Sequence, residues 1–271
     1  MGDDFPREML RLLSCDDPQP VGNVNLSGRS RFLLVGDHAG DAIPQALGML
    51  GLRAADLARH IAVDIGTRAL GEALAHRLDA TFIHQRFSRL VIDCNRDPAR
   101  ADAIPETSDG TPVPGNAAIG AAERAVRTRE IHAPYHAAIA AELERRRAVG
   151  RATILVSLHS FTPRLAGGAE RPWHLGLLHD GRADGFALAL LASLSQDDRI
   201  VVGDNEPYRM DATDYTVPTH AFLASVPYVE LEVRQDLIAR REDMLEWAER
   251  IAVAAEASQT RAAPRNRCCC H

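Results

Sequence analysis

Apolar and polar positions along the 271-residue chain follow two rhythms. Short unbroken apolar runs at about 31–36 and 152–161 have the length and continuity of strands buried on both faces of a sheet. Further strands are predicted at 80–84, 89–94, 173–179 and 199–202, and at 228–233, where charged and apolar residues alternate. Between them the spacing is helical. Leu57, Ile61, Ile65, Leu70, Leu74 and Leu78 recur three to five residues apart, which predicts one or two helices over 54–78. An alanine- and arginine-rich helix is predicted over 119–149, interrupted near Pro134, with others at 184–194 and 242–256. Helices alternate with strands and no repeat or low-complexity linker divides the chain. The pattern therefore predicts one α/β domain over 31–258 with helices on both faces of its sheet. Residues 1–30 read as a polar N-terminal arm and 259–271 as a disordered tail.

Composition narrows the class. Hydrophobic content of 46% and charged content of 25% are those of a globular protein. A net charge of −6 argues against nucleic acid or an anionic membrane as partner. No run approaches the roughly 20 apolar residues that span a bilayer, and the acidic N-terminus lacks an apolar signal core. These features predict a cytoplasmic protein. Three of the five cysteines crowd the end as Cys268, Cys269 and Cys270, leaving Cys15 and Cys94, which make no disulfide framework. With His271 the tail offers soft metal ligands, but it follows no apolar anchor and reads as a loose end.

Candidate chemistry sits where strands end. The run over 152–161 carries His159 near its end, and the run over 31–36 leads into Asp37-His38-Ala39-Gly40-Asp41. In open α/β sheets ligands bind at that edge. Two imidazoles, His38 and His159, with a carboxylate such as Asp41 and an open fourth position make the ligand set of a hydrolytic zinc site. Asp37 and Asp64 are rival carboxylates. Asp93-Cys94-Asn95-Arg96 brings a guanidinium suited to capturing a substrate carboxylate. Glu230 and Glu232 share one strand face, and a glutamate near zinc can act as general base. Tyr208, Tyr215 and His220 lie in the loop before that strand and could close over a substrate. His84, His132, His136, His174 and His179 read as structural. Ser157 and Ser160 flank His159, but no G-x-S-x-G elbow supports a serine hydrolase. Residues 97–118, with four prolines, form a long excursion of the kind that tends to be functional.

Taken together, Gly36-Asp-His-Ala-Gly-Asp-Ala-Ile-Pro44, Val63-Asp-Ile-Gly66, Ser88-Arg-Leu-Val-Ile-Asp-Cys-Asn-Arg96, Tyr135-His136, Val156-Ser-Leu-His-Ser-Phe161, Val202-Gly-Asp-Asn-Glu-Pro-Tyr208 and Val229-Glu-Leu-Glu-Val-Arg-Gln-Asp236 resemble the N-formylglutamate amidohydrolase family. The resemblance covers roughly residues 30 to 255. It implies a three-layer αβα domain with a mixed, mostly parallel sheet, akin to zinc carboxypeptidases and the aspartoacylase group. It also implies zinc-dependent hydrolysis of a small acidic N-acyl amino acid, most simply N-formyl-L-glutamate, as in amino-acid catabolism. By the same resemblance His38, His159 and Asp41 are the metal ligands, Glu232 the base with Glu230 beside it, and Arg96 with Asn95 the substrate-carboxylate contacts. His220 or Tyr215 would stabilise the oxyanion, with Tyr208 close by. A carboxypeptidase-like metallopeptidase, or a non-catalytic binding protein on the same scaffold, are the alternatives.

Overall fold

The computed structural model describes residues 11–222 and 224–259, so the reading of the Cys268–270 tail lies outside the described residues. The two apolar runs form the middle of the sheet. β2 (Phe32–Gly36) and β6 (Ile154–Phe161) are buried at every position and pair in parallel, Leu33 against Leu155 and Val35 against Ser157. Beside them lie β1 (Val21–Val24), β3 (Thr81–Gln85), β7 (Leu175–Leu178), β8 (Val202–Asp204) and β9 (Tyr228–Arg234). The order across the sheet is β1-β3-β2-β6-β9-β7-β8. The four strands β3, β2, β6 and β9 are mutually parallel, while β1 runs antiparallel to β3 and β7 antiparallel to β9. This is the expected mixed, mostly parallel sheet. A separate hairpin of β4 (Thr107–Ser108) and β5 (Thr111–Pro112) stands apart.

Side-chain alternation along the strands sorts the core into two sides. Phe32, Leu34, Val156, Leu158, Val229 and Leu231 pack with buried residues of α2 (Thr67–Arg77), α5 (Gly185–Leu194) and α6 (Arg241–Ser258). On the other side Leu33, Val35, Leu155 and Tyr228 meet Tyr135 and Ile139 of α4 (Ala133–Ala148). The result is three layers. α6 shows why: Met244, Trp247, Ala248, Ile251, Ala252 and Ala255 recur at helical spacing and are all buried. Glu242 and Asp243 meet the positive end of its dipole.

The 54–78 pattern yields two helices, α1 (Ala54–Leu57) and α2, within what it predicts. Other local expectations change. The long helix becomes α3 (Ala121–Arg127), a wide π turn over Thr128–His132, then α4; the irregularity precedes Pro134, which has no N–H to donate. The strand expected at 199–202 begins only at Val202. The strand expected at 89–94 is absent, although Leu90, Val91 and Ile92 are fully buried. Side chains satisfy its backbone instead: Asn116 Nδ2 donates to the Leu90 carbonyl at 2.8 Å and Arg127 Nη1 to the Val91 carbonyl at 3.0 Å. With those groups paired, no neighbouring strand is needed. Residues 21–24, read as part of an arm, form the edge strand on β3.

The order of strands contains one reversal. The chain leaves β2 for β3 on one side, and β6 then pairs with β2 on the other. The crevice at the carboxyl ends of such a pair is where open α/β sheets hold ligands. Asp37 and His38 directly follow β2, and His159 lies near the end of β6. Gly66 closes the approach: it takes φ +83° before α2, and a Cβ there would lie 2.6 Å from the Ile238 carbonyl. Gly66→Ala should therefore lose about 1–3 kcal/mol of stability in urea denaturation. An unchanged midpoint would show that this contact is not tight.

Candidate active site

Three side chains converge at the switch point. His159 Nδ1 lies 3.0 Å from Asp64 Oδ2, and His38 Nδ1 lies 3.4 Å from the same oxygen. One ligand atom from each of the three residues lies within 4.8 Å of the others, and all three residues are buried. Their far sides are held by carboxylates. His38 Nε2 donates to Asp93 Oδ1 at 2.7 Å, and His159 Nε2 lies 3.2 Å from Asp37 Oδ2. Asp37 in turn accepts from Thr216 Oγ1 at 2.7 Å. A carboxylate behind each imidazole, orienting its other nitrogen inward, is the usual support of a metal-binding histidine.

The donor set fits a divalent cation. Among the described residues, His38 Nδ1 is buried and finds no hydrogen-bond partner, and the Oε2 atoms of Glu230 and Glu232 are likewise buried and unpartnered. Polar atoms left so in a core normally mark a strained, catalytic or ion-binding place. Two imidazoles and one carboxylate are a zinc-type set with room for further ligands.

Electrostatics follow from crowding. Burial alone would raise the Asp64 carboxyl, but His38, the hydrogen bond from His159 and Arg89 hold it well below the usual carboxylate range. Arg89 spans the site, 3.3 Å from Asp64 Oδ1 and 2.7 Å from Asp93 Oδ2. Burial would lower both histidines, yet Asp93 and Asp64 raise His38, and Glu230, Asp37 and Asp64 raise His159. Glu232 stands opposite His159 in the β6–β9 register. Burial, together with the nearby Asp64 charge, pushes it up to about 7 against the pull of His159 and Arg89.

A cleft of about 330 Å³ opens onto this cluster, lined by His38, Asp64, Arg89, Glu230 and Glu232 among others. Asn95, Arg96 and Tyr208 also line it. The amide of Asn95 is committed, its Oδ1 accepting from the Tyr215 and Thr216 backbones and its Nδ2 donating to Asp214. Arg96 Nη1 donates to the Asn95 and Thr213 carbonyls. Arg171 stacks on the Tyr208 ring at 4.8 Å and bonds its hydroxyl.

Three expected residues stand elsewhere. Asp41 is exposed and outside the cluster, because Ala42 is fixed to the 86–88 segment by a parallel bridge to Phe87 and hydrogen bonds to Arg86 and Ser88. Asp64, the rival carboxylate, takes the place beside the histidines. His220 lines a different groove, with Pro227 and Thr153 near the amino ends of β9 and β6. Tyr215 packs its ring on His132 and His136 at 5.2 and 4.9 Å rather than lining the cleft. Arg89 and Arg209 carry no expectation from the sequence, although Arg89 lies inside the Ser88–Arg96 motif, and Asp93, the acid of that motif, turns to His38.

The family model for N-formylglutamate amidohydrolase matches residues 30–239. The chain belongs to that family. A solved gene product of Agrobacterium tumefaciens is 35% identical at a TM-score of 0.88, covering 92% of this chain and 98% of that one. N-formylglutamate amidohydrolase from Ralstonia eutropha JMP134 shares the family fold at 19% identity and a TM-score of 0.63, over 90% of this chain and 99% of that one. No match is found among curated proteins.

Two outcomes are expected. Zinc titrated into the metal-free protein should bind at least about 100-fold more weakly to Asp64→Ala than to wild type, with Asp41→Ala unaffected; equal losses would misplace the carboxylate ligand. The second concerns His136 and His220, which burial holds down at about 3 and about 4. Unfolding lets both rise towards 6.5, so below that pH the unfolded chain binds more protons and stability falls as pH drops. Between pH 7 and pH 5 wild type should lose about 1–2 kcal/mol more than His220→Phe in urea denaturation. Parallel pH profiles would show that His220 titrates normally.

Proposed function

We propose that the chain hydrolyses the amide of a small N-acyl acidic amino acid, most simply N-formyl-L-glutamate, with zinc held by His38, Asp64 and His159. The convergence of those three residues, of which His38 and Asp64 line the cleft, in a chain of this family carries the reading. A metal held there supplies Lewis-acid polarisation of the amide carbonyl and brings the pKa of a water down to about 7.

The chain's own residues do the rest. Glu232 takes a proton from the attacking water as the carbon–oxygen bond forms. It returns that proton to the nitrogen as the carbon–nitrogen bond breaks, releasing formate and the free amine of glutamate. Burial pushes the Glu232 carboxyl up from the usual carboxylate range, which suits it to take up and return a proton. Glu230, two residues earlier on the same strand face, is the second acid at the cleft. Arg96 at the cleft wall suits one substrate carboxylate. Arg209 also lines the cleft and, among the described residues, makes no ion pair, which suits the other. Among the described residues no helix is long and apolar enough to cross a membrane. Among the described residues Cys15 and Cys94 form no disulfide, in keeping with a cytoplasmic place.

The test is formate release from N-formyl-L-glutamate by the full chain, before and after chelation and zinc add-back. Activity lost with chelator and restored by zinc supports the reading; folded, zinc-loaded protein that releases no formate sinks the substrate assignment. Glu232→Gln should keep its zinc and lose about 10²–10⁴-fold in kcat. Full activity in that variant removes Glu232 as the base.

A further inference from the structure

The Tyr135-His136 pair has no part in the chemistry above, and His220 lies away from the cleft, yet both histidines are buried and bonded. His136 Nε2 lies 2.9 Å from the Cys94 carbonyl, and His136 Nδ1 lies 2.9 Å from His220 Nε2. The two rings are nearly parallel, 14° apart with centroids at 5.2 Å. The His132 ring lies 4.4 Å from that of His136, tilted by 42°, and its Nε2 lies 3.0 Å from the Arg96 carbonyl.

Elementary hydrogen-bond chemistry fixes the protons. A carbonyl oxygen only accepts, so His136 carries its proton on Nε2. A neutral imidazole has one N–H, which leaves His136 Nδ1 as an acceptor. His220 must then donate from its own Nε2. Burial keeps both rings neutral, since each titrates well below 6.5. A doubly protonated His136 would confront the His220 N–H with another donor.

The segment held by these bonds is the wall of the cleft. Asp93 accepts from His38, Asn95 and Arg96 line the cavity, and the Cys94 carbonyl between them accepts a hydrogen bond from the His136 N–H. We propose that His136 and His220 are a proton-ordered pair that positions the 94–96 segment, with His132 bracing its end. They are positioning residues. Neither touches the cleft.

The decisive readout is the protonation pattern itself, from nitrogen-15 NMR of histidine-labelled full chain at pH 7. His136 and His220 are expected as neutral rings protonated on Nε2. A proton on His136 Nδ1 would overturn the proposal. The kinetic readout rests on the amidohydrolase reading. His136→Phe should raise KM for N-formyl-L-glutamate about tenfold while kcat changes less. His136→Gln, whose amide N–H can serve the same carbonyl, should recover most of the loss. Unchanged KM in a folded His136→Phe protein would overturn the positioning role. If no N-acyl amino acid is turned over, the proposed function falls, and the NMR pattern alone decides this inference.

Discussion

Buried negative charge is the constraint on which the site depends. Asp37, Asp64, Asp93, Glu230 and Glu232 are each no more than 6% exposed, and they crowd around two imidazoles and one guanidinium. Isolated carboxylates in such surroundings are expensive, so each must be paired, protonated or bound to a cation. Arg89 pairs two of them, the histidines pair with three, and burial pushes both glutamates towards the protonated form. The same crowding that raises the cost of folding here creates a strong appetite for positive charge. A scaffold that merely filled space would have placed leucines at these positions.

The fold supplies the rigidity that such crowding demands. β2, β6 and β9 are buried on both faces and locked in register, so Asp37, His159 and the glutamates project from a fixed platform. The loops that complete the cleft are less regular but densely bonded. Asn116 and the buried Arg127 fasten the 88–94 segment, and Asn95 fastens the 213–216 loop. Polar side chains thus replace strand pairing where the backbone must bend around the cavity.

Much of this was legible in the sequence, for physical reasons. The central strands announce themselves because burial on both faces leaves no polar alternation, and the strand-end histidines mark the ligand edge of the sheet. The glutamates of β9 were legible because period two puts them on one face. What failed was long-range. Leu90-Val91-Ile92 shows burial correctly but says nothing of Asn116 and Arg127, which make a strand unnecessary. Asp41 lay nearer His38 in sequence than Asp64 did, yet Asp64 is brought in by its backbone N–H to the His38 carbonyl and by Ser160. His220 and Tyr215 looked like closing residues because a loop has no period to reveal which way it faces.

The edge strand β1 carries a consequence for how this chain can be handled. The family match begins at residue 30, after β1, and stops at 239, before α6. A piece cut at those limits would open the hydrogen-bonding edge of β3 and uncover the side of the sheet that Met244, Trp247 and Ile251 seal. An open strand edge beside bare apolar surface is a template for self-association. The matched stretch is therefore narrower than the piece of this chain that keeps both this sheet edge and this apolar face covered.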